Sequence, residues 1–296
     1  MRRVRPAPWV LTALAAIVYV VLTPPTTDLA AQVHRVALAR DGVWLYDLSW
    51  FGGHHLPSYS VLMPLAGLVV APQVLAAVAA VAAAWAFGRL AERHRPGAPA
   101  RAASWWFAAG TGALLFTGRV TFVLGVAIAL VTLVVVVGAG PGRGRASGDD
   151  RGRDAGGDAP RGDDGDPGAR AGRSRAGRSV TPVATAAAGA IAAALASPVA
   201  ALFLALVGLA WWIGDRRIVP AVLTAVAFGT AVALAIAFPG GGSEPFVASA
   251  LLPAIVGLAA ALVVIPARER TLRIGVALYL AGVVLAGMLD TPMGGN

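Results

Sequence analysis

The run PSYSVLMPLAGLVVAPQVLAAVAAVAAAWAFG, residues 57–88, carries no charge and is broken at Pro64 and Pro72. A membrane-spanning helix needs roughly 17–25 apolar residues. The run is too long for one such helix and barely long enough for two. It is either two full spans, or a short interfacial or re-entrant segment (57–71) followed by one span (73–88). The choice fixes the orientation of every later segment.

The chain around it is strongly apolar. Hydrophobic residues make up 57% of the 296 and charged residues 13%, against about 25% charged in a soluble domain. The mean hydropathy of +0.72 over the whole length implies many spans rather than one buried helix. There is no cysteine and no lysine. Disulfides, thiolate metal sites and cysteine nucleophiles are therefore excluded.

Other apolar runs follow the same logic. Arg2, Arg3 and Arg5 precede a run from Pro8 to Leu22 that ends in Thr23-Pro24-Pro25, with no small-residue cleavage site. It reads as an uncleaved first span with the N-terminus inside. Residues 24–56 read as a polar, aromatic-rich loop. Spans are expected at 103–118, 120–140, 218–238, 247–266 and 273–289, and the run from Val180 to Gly214, split at Ser197-Pro198, reads as a tight pair. Residues 141–179 are Gly, Arg, Asp, Ser and Pro with almost nothing to bury, which predicts a disordered loop. Solid apolar runs rather than alternating ones predict an all-α transmembrane helix bundle and not a β-barrel.

The positive-inside rule decides between the two readings of 57–88. With an interfacial segment and one span, 21 of the 24 Arg fall on the inner side and only Arg35, Arg40 and Arg119 on the outer. With two spans, 18 of those Arg move outside. The first arrangement is chosen: nine spans plus an interfacial helix in the first outer loop. The net charge of +9 then reflects topology, not a nucleic-acid surface. The expected organisation is an N-terminal membrane module (1–140) with its outer loop (24–56), the inner loop (141–179), and a C-terminal bundle (180–296). That bundle stops on an outer segment, as though cut from a longer protein.

The outer segments gather the polar chemistry, including three of the four His and five of the fifteen acids. Asp28 follows the first span directly. It is either an acid at a water boundary or a base facing a cavity. Asp47 is a second candidate acid in the same loop. His54-His55 follow two glycines and precede Pro57. Adjacent side chains diverge in extended backbone, so they are either a polar loop pair or a hydrogen-bond donor and proton shuttle to a bound headgroup. Arg119 sits in a very short turn on the side that otherwise avoids Arg. It either meets an anion such as phosphate or snorkels. Trp44, Tyr46, Trp50, Phe51 and Tyr59 form an interfacial aromatic belt or line a sugar or lipid site. No P-loop, dinucleotide glycine motif, HExxH or GxSxG is present, and no cofactor or metal is called for.

The pattern Asp28…Arg40-Asp41-Gly42…Trp44-Leu-Tyr-Asp47…Trp50-Phe-Gly-Gly-His54…Pro57…Tyr59, followed by an interfacial segment and a span, resembles the GT-C superfamily of polytopic membrane glycosyltransferases. The likeness extends to large actinobacterial multi-pass proteins and covers residues 1–140. It implies a polyprenyl-phosphate-linked sugar donor used on the outer face of the cell membrane. In that family an acid in the first outer loop acts as base or orients the acceptor. Asp28 matches this position and Asp47 is second to it. A basic residue contacts the donor phosphate, which falls to Arg119, with His54, His55, Trp50 and Tyr59 lining the site. Asp28 is followed by Leu29 rather than by a second acid, and the large outer C-terminal domain of many members is absent from the sequence. Two other classes remain open: a transporter or permease, and a non-catalytic membrane subunit. The absence of acids and bases in mid-span speaks against conduction.

Overall fold

The computed structural model describes residues 6–49, 53–139, 167–239 and 247–288, with backbone alone for 167–181. Eleven α-helices lie among them: α1 (Trp9–Leu22), α2 (Thr27–Arg40), α3 (Leu62–Gly67), α4 (Pro72–His94), α5 (Ala98–Leu115), α6 (Val120–Gly138), α7 (Pro167–Ala196), α8 (Pro198–Asp215), α9 (Ile218–Ala237), α10 (Ala248–Val264) and α11 (Arg270–Met288). Five of these (α4, α6, α8, α9 and α11) are long and apolar enough to cross a membrane, and a sixth span results if α1 and α2 are counted as one broken span bent by 68°. The protein is all-α, with the repeated apolar helices of a multi-pass membrane protein. Of the segment expected to be disordered, 141–166 lies outside the described residues; its remainder, 167–179, is not a loop but the first turns of α7.

The deciding run, 57–88, contains one helix of spanning length. Pro72 opens α4 at its first turn, where a missing N–H costs nothing. The first half holds only a 3₁₀ turn at Leu56–Ser58 and the six-residue α3.

A second expectation is corrected. Residues 24–56 are not a loop throughout, because Thr27–Arg40 is helical. The Thr26 side chain accepts a hydrogen bond from the Leu29 N–H at 3.2 Å, satisfying one orphan donor of the first turn. Asp28 lies in that first turn and Arg40 in the last, both favoured by the helix dipole. Leu29, Gln32, Val36 and Ala39 repeat at helical spacing and are buried. Beyond α2, β1 (Tyr46–Asp47) and β2 (His54–His55) pair antiparallel, with Tyr46 opposite His55 and Asp47 opposite His54.

Small residues pack the bundle. α4 buries a nearly continuous alanine face, Ala76 to Ala86, which lets backbones approach closely where burial from water gives no drive. α6 joins two cores. Val120, Val123 and Ala127 pack with Tyr19, Leu29, Met63 and the α4 alanines. Ala129, Leu133 and Val136 pack with alanines of α7 and with Leu204, Leu223 and Ala227. α10 buries no residue and α11 only Val283.

The connections sort to two ends. At one, the α2 end, the Val61 N–H donates to the Leu195 carbonyl at the close of α7 (2.8 Å), and the His55 ring meets Phe238 at the close of α9 (6.0 Å between centroids). At the far end, Arg93 donates to the Val134 carbonyl near the close of α6 (2.7 Å), and His94 meets Glu269 between α10 and α11 (3.1 Å).

Candidate functional site

The α2 end carries the described residues singled out from the sequence. Asp28 and Arg119, far apart in the chain, form an ion pair, Arg119 Nε to Asp28 Oδ2 at 3.5 Å. Gly118 makes this possible. Its φ is +75°, and a Cβ there would strike Thr26 Oγ1 and lie 2.8 Å from Leu29 N. The turn between α5 and α6 thus rests directly on the first turn of α2. Arg119 is 51% exposed and Asp28 37%. A pair this wet contributes only about 0–1 kcal/mol, so both groups can exchange partners cheaply.

Tyr59 connects this pair to a buried layer beneath. Burial raises its phenol pKa, Asp28 raises it further, and Arg35, Arg119 and a hydrogen bond with Thr121 oppose the rise. The Arg35 guanidinium stacks over the Tyr59 ring at 4.1 Å, a cation–π contact. Its Nη2 lies 3.4 Å from His54 Nε2. Arg35 is only 8% exposed. Burial lowers its pKa, with Tyr59 and Asp47 acting in the other direction.

Asp47 closes the cluster. Its Oδ1 accepts from the Ser49 N–H (2.9 Å) and Ser49 hydroxyl (2.7 Å), and its Oδ2 lies 2.9 Å from His34 Nε2. Chiefly the Ser49 hydroxyl, and then His34, overcome the effect of burial and hold this carboxyl at about 2. A carboxylate so well satisfied is a weak proton acceptor. It orients His34 and holds Ser49 just past β1.

His54 and His55 diverge as extended backbone requires. His54 joins the Arg35 cluster, while His55 stacks edge-on against Tyr46 (4.9 Å) and faces α9. Trp50 lies outside the described residues.

Sequence reading missed Arg35 as a site residue. Its signal was position: it shares the α2 face with Leu29, Gln32 and Val36, so helicity alone would have buried it. Gln32 on that face is 1% exposed, and its Oε1 has no partner among the described residues.

Comparison of the chain with protein-family models, with curated proteins and with solved structures finds no match.

Proposed function

We propose that the chain is a nine-span integral membrane protein of the cell membrane, with its N-terminus inside and the α2 end outside. In this reading it is a GT-C-type transferase that uses a polyprenyl-phosphate-linked sugar. The nine-span count is supported by helices at every position read as a span, α1 and α4 to α11. The orientation rests on the distribution of Arg.

The observation that carries the chemistry is the meeting of Asp28 with Arg119. Transfer needs a base for the acceptor hydroxyl and a cation for the departing phosphate. The donor phosphate, a diester whose two unesterified oxygens share one negative charge and match a guanidinium's paired donors, competes with Asp28 for Arg119 in a pair that costs little to open. The released carboxylate takes the acceptor proton as the acceptor oxygen bonds to the anomeric carbon. The bond from that carbon to the phosphate oxygen breaks, and its electron pair leaves on the lipid phosphate facing Arg119. Asp47, held at about 2, is a poor base.

A transporter reading finds less support. Thr12, Ser104 and Thr132, polar side chains within apolar helices, each donate to a backbone carbonyl (Ala108, Ala100 and Ile128) and offer no polar path.

Transfer of labelled sugar from a polyprenyl phosphate donor, measured in membranes holding the full chain, tests the proposal. Asp28→Asn is expected to lower the rate by about 10²-fold or more. Transfer at the wild-type rate would remove Asp28 from the reaction.

A further inference from the structure

The β1–β2 hairpin is tied to α2 by two imidazoles that answer a proton in opposite ways. A guanidinium has N–H donors and no acceptor. The contact of Arg35 Nη2 with His54 Nε2 (3.4 Å) therefore has one form, in which the imidazole nitrogen carries no proton and accepts. A proton on that nitrogen removes the acceptor. It also sets a second cation against a guanidinium that is 8% exposed, where charges are poorly screened. His34 behaves otherwise. Its Nε2 lies 2.9 Å from Asp47 Oδ2, and an ionised carboxylate only accepts, so this nitrogen donates whether the ring is neutral or charged. Protonating His34 strengthens a bond already made; protonating His54 destroys one.

The charges around His54 do not offset its proton. Asp47 sits opposite it in the hairpin register and acts on the Arg35 charge, so near neutrality this pair holds one cation and one anion. Asp47 is already shared with His34 and Ser49. The Tyr59 ring covers the guanidinium at 4.1 Å and is neutral. Asp28 and Arg119, beyond Tyr59, are paired with each other. His55 is turned to Tyr46 and Phe238, and Arg40 and Asp41 are exposed at the end of α2. Little apolar burial resists opening, since Asp47 is the one covered residue of 44–49.

We propose that His54 is a proton-operated release of the β1–β2 hairpin from α2. Near neutrality it accepts from Arg35 and the hairpin is latched. In acid its proton breaks that contact and the hairpin opens over Arg35 and Tyr59, the layer beneath the Asp28–Arg119 pair. An ordinary imidazole takes its proton near pH 6.5. Each pH unit below that raises a minor open state by up to about tenfold. The release regulates access to the α2 end and does not depend on the transfer reaction.

Hydrogen exchange of the purified full chain in detergent, read by mass spectrometry from pH 8 to 5 and corrected for intrinsic rate, tests the proposal. Amide protection in 43–49 and 53–61 should be level above about pH 7 and fall by up to about tenfold per unit below about 6.5. Protection in α4 and α6 should not change. His54→Gln keeps an oxygen that accepts from Arg35 and cannot titrate, so its protection should stay level to pH 5. Should that variant not accumulate, Arg35→Met, which takes away the opposing cation, should remove the fall equally. His34→Gln should retain it. Level protection in the wild type, the same fall in His54→Gln or Arg35→Met, or a fall lost in His34→Gln overturns the proposal. Because the readout is exchange, it stands or falls independently of sugar transfer.

Discussion

Both ends of the bundle carry wet ion pairs, Asp28–Arg119 (37% and 51% exposed) at the α2 end among them, but among the described residues the α2 end also covers charge. At the far end, charges stay wet or snorkel: Arg95 is 47% exposed, His94 54%, and their shared partner Glu269 19%. At the α2 end, Arg35 and Asp47 are covered, 8% and 5% exposed, and are tied to Tyr59, His54, His34 and Ser49. Covering a charge costs stability unless a specific partner repays it. A far end built of exposed Arg needs no such partners, because its work is to stay in water. The α2 end accepts the cost, which is the behaviour of a site.

The contrast breaks most readily at the two glycine turns that flank α5. Gly97, at the far end, has φ +102° and nothing near its Cβ position, whereas Gly118 has φ +75° and its Cβ position overlaps Thr26 and Leu29. Both substitutions to alanine strain the backbone by about 1 kcal/mol. Only Gly118→Ala must also push the turn off α2, for a total of about 2–4 kcal/mol. Thermal unfolding of the two variants should therefore differ, with Gly118→Ala the less stable. Equal losses would mean that the turn does not rest on α2.

Asp47 sharpens the same contrast with pH. Its carboxyl is held at about 2, below the ordinary 3.8, so the folded state favours the ionised form. That contribution is complete above about pH 4 and is lost as pH falls through 2. Asp47→Asn should cost about 1–2 kcal/mol near neutrality. The gap in Tm between wild type and variant should stay constant down to about pH 4 and close toward pH 2. A gap that ignores pH would show that the charge on Asp47 contributes nothing.

Much of the bundle was legible because membrane helices announce themselves by uninterrupted apolar length. Pro72, Ser197-Pro198 and the short turn at 116–119 marked helix boundaries in advance, and the structure breaks its helices there. α2 escaped notice for the same reason in reverse. Its apolar positions occupy one face of a short polar segment, so no run of hydrophobic residues announced it; the Thr26 cap and the 29, 32, 36, 39 spacing were its only marks. The grouping of Asp28 and Arg119 on one side was readable from the charge bias, but their contact was not. It depends on how Gly118 seats against α2, a close approach between segments that local sequence does not encode. Arg35 was hidden by expectation, since an Arg in a presumed loop is taken as solvated.

Glu269 should give the smallest effect, and its value lies in its salt dependence. Glu269→Gln removes the contacts to His94 (3.1 Å) and Arg95 (3.9 Å). With both partners about half in water, the loss is under about 1 kcal/mol. At 1 M salt the screening length shrinks to about 3 Å, so the variant and wild type should unfold together. The Asp47→Asn loss should persist at the same salt, because covered groups are screened far less. If Glu269→Gln instead kept its full cost at high salt, the far end would hold a covered pair of its own, and the division of labour between the two ends would fail.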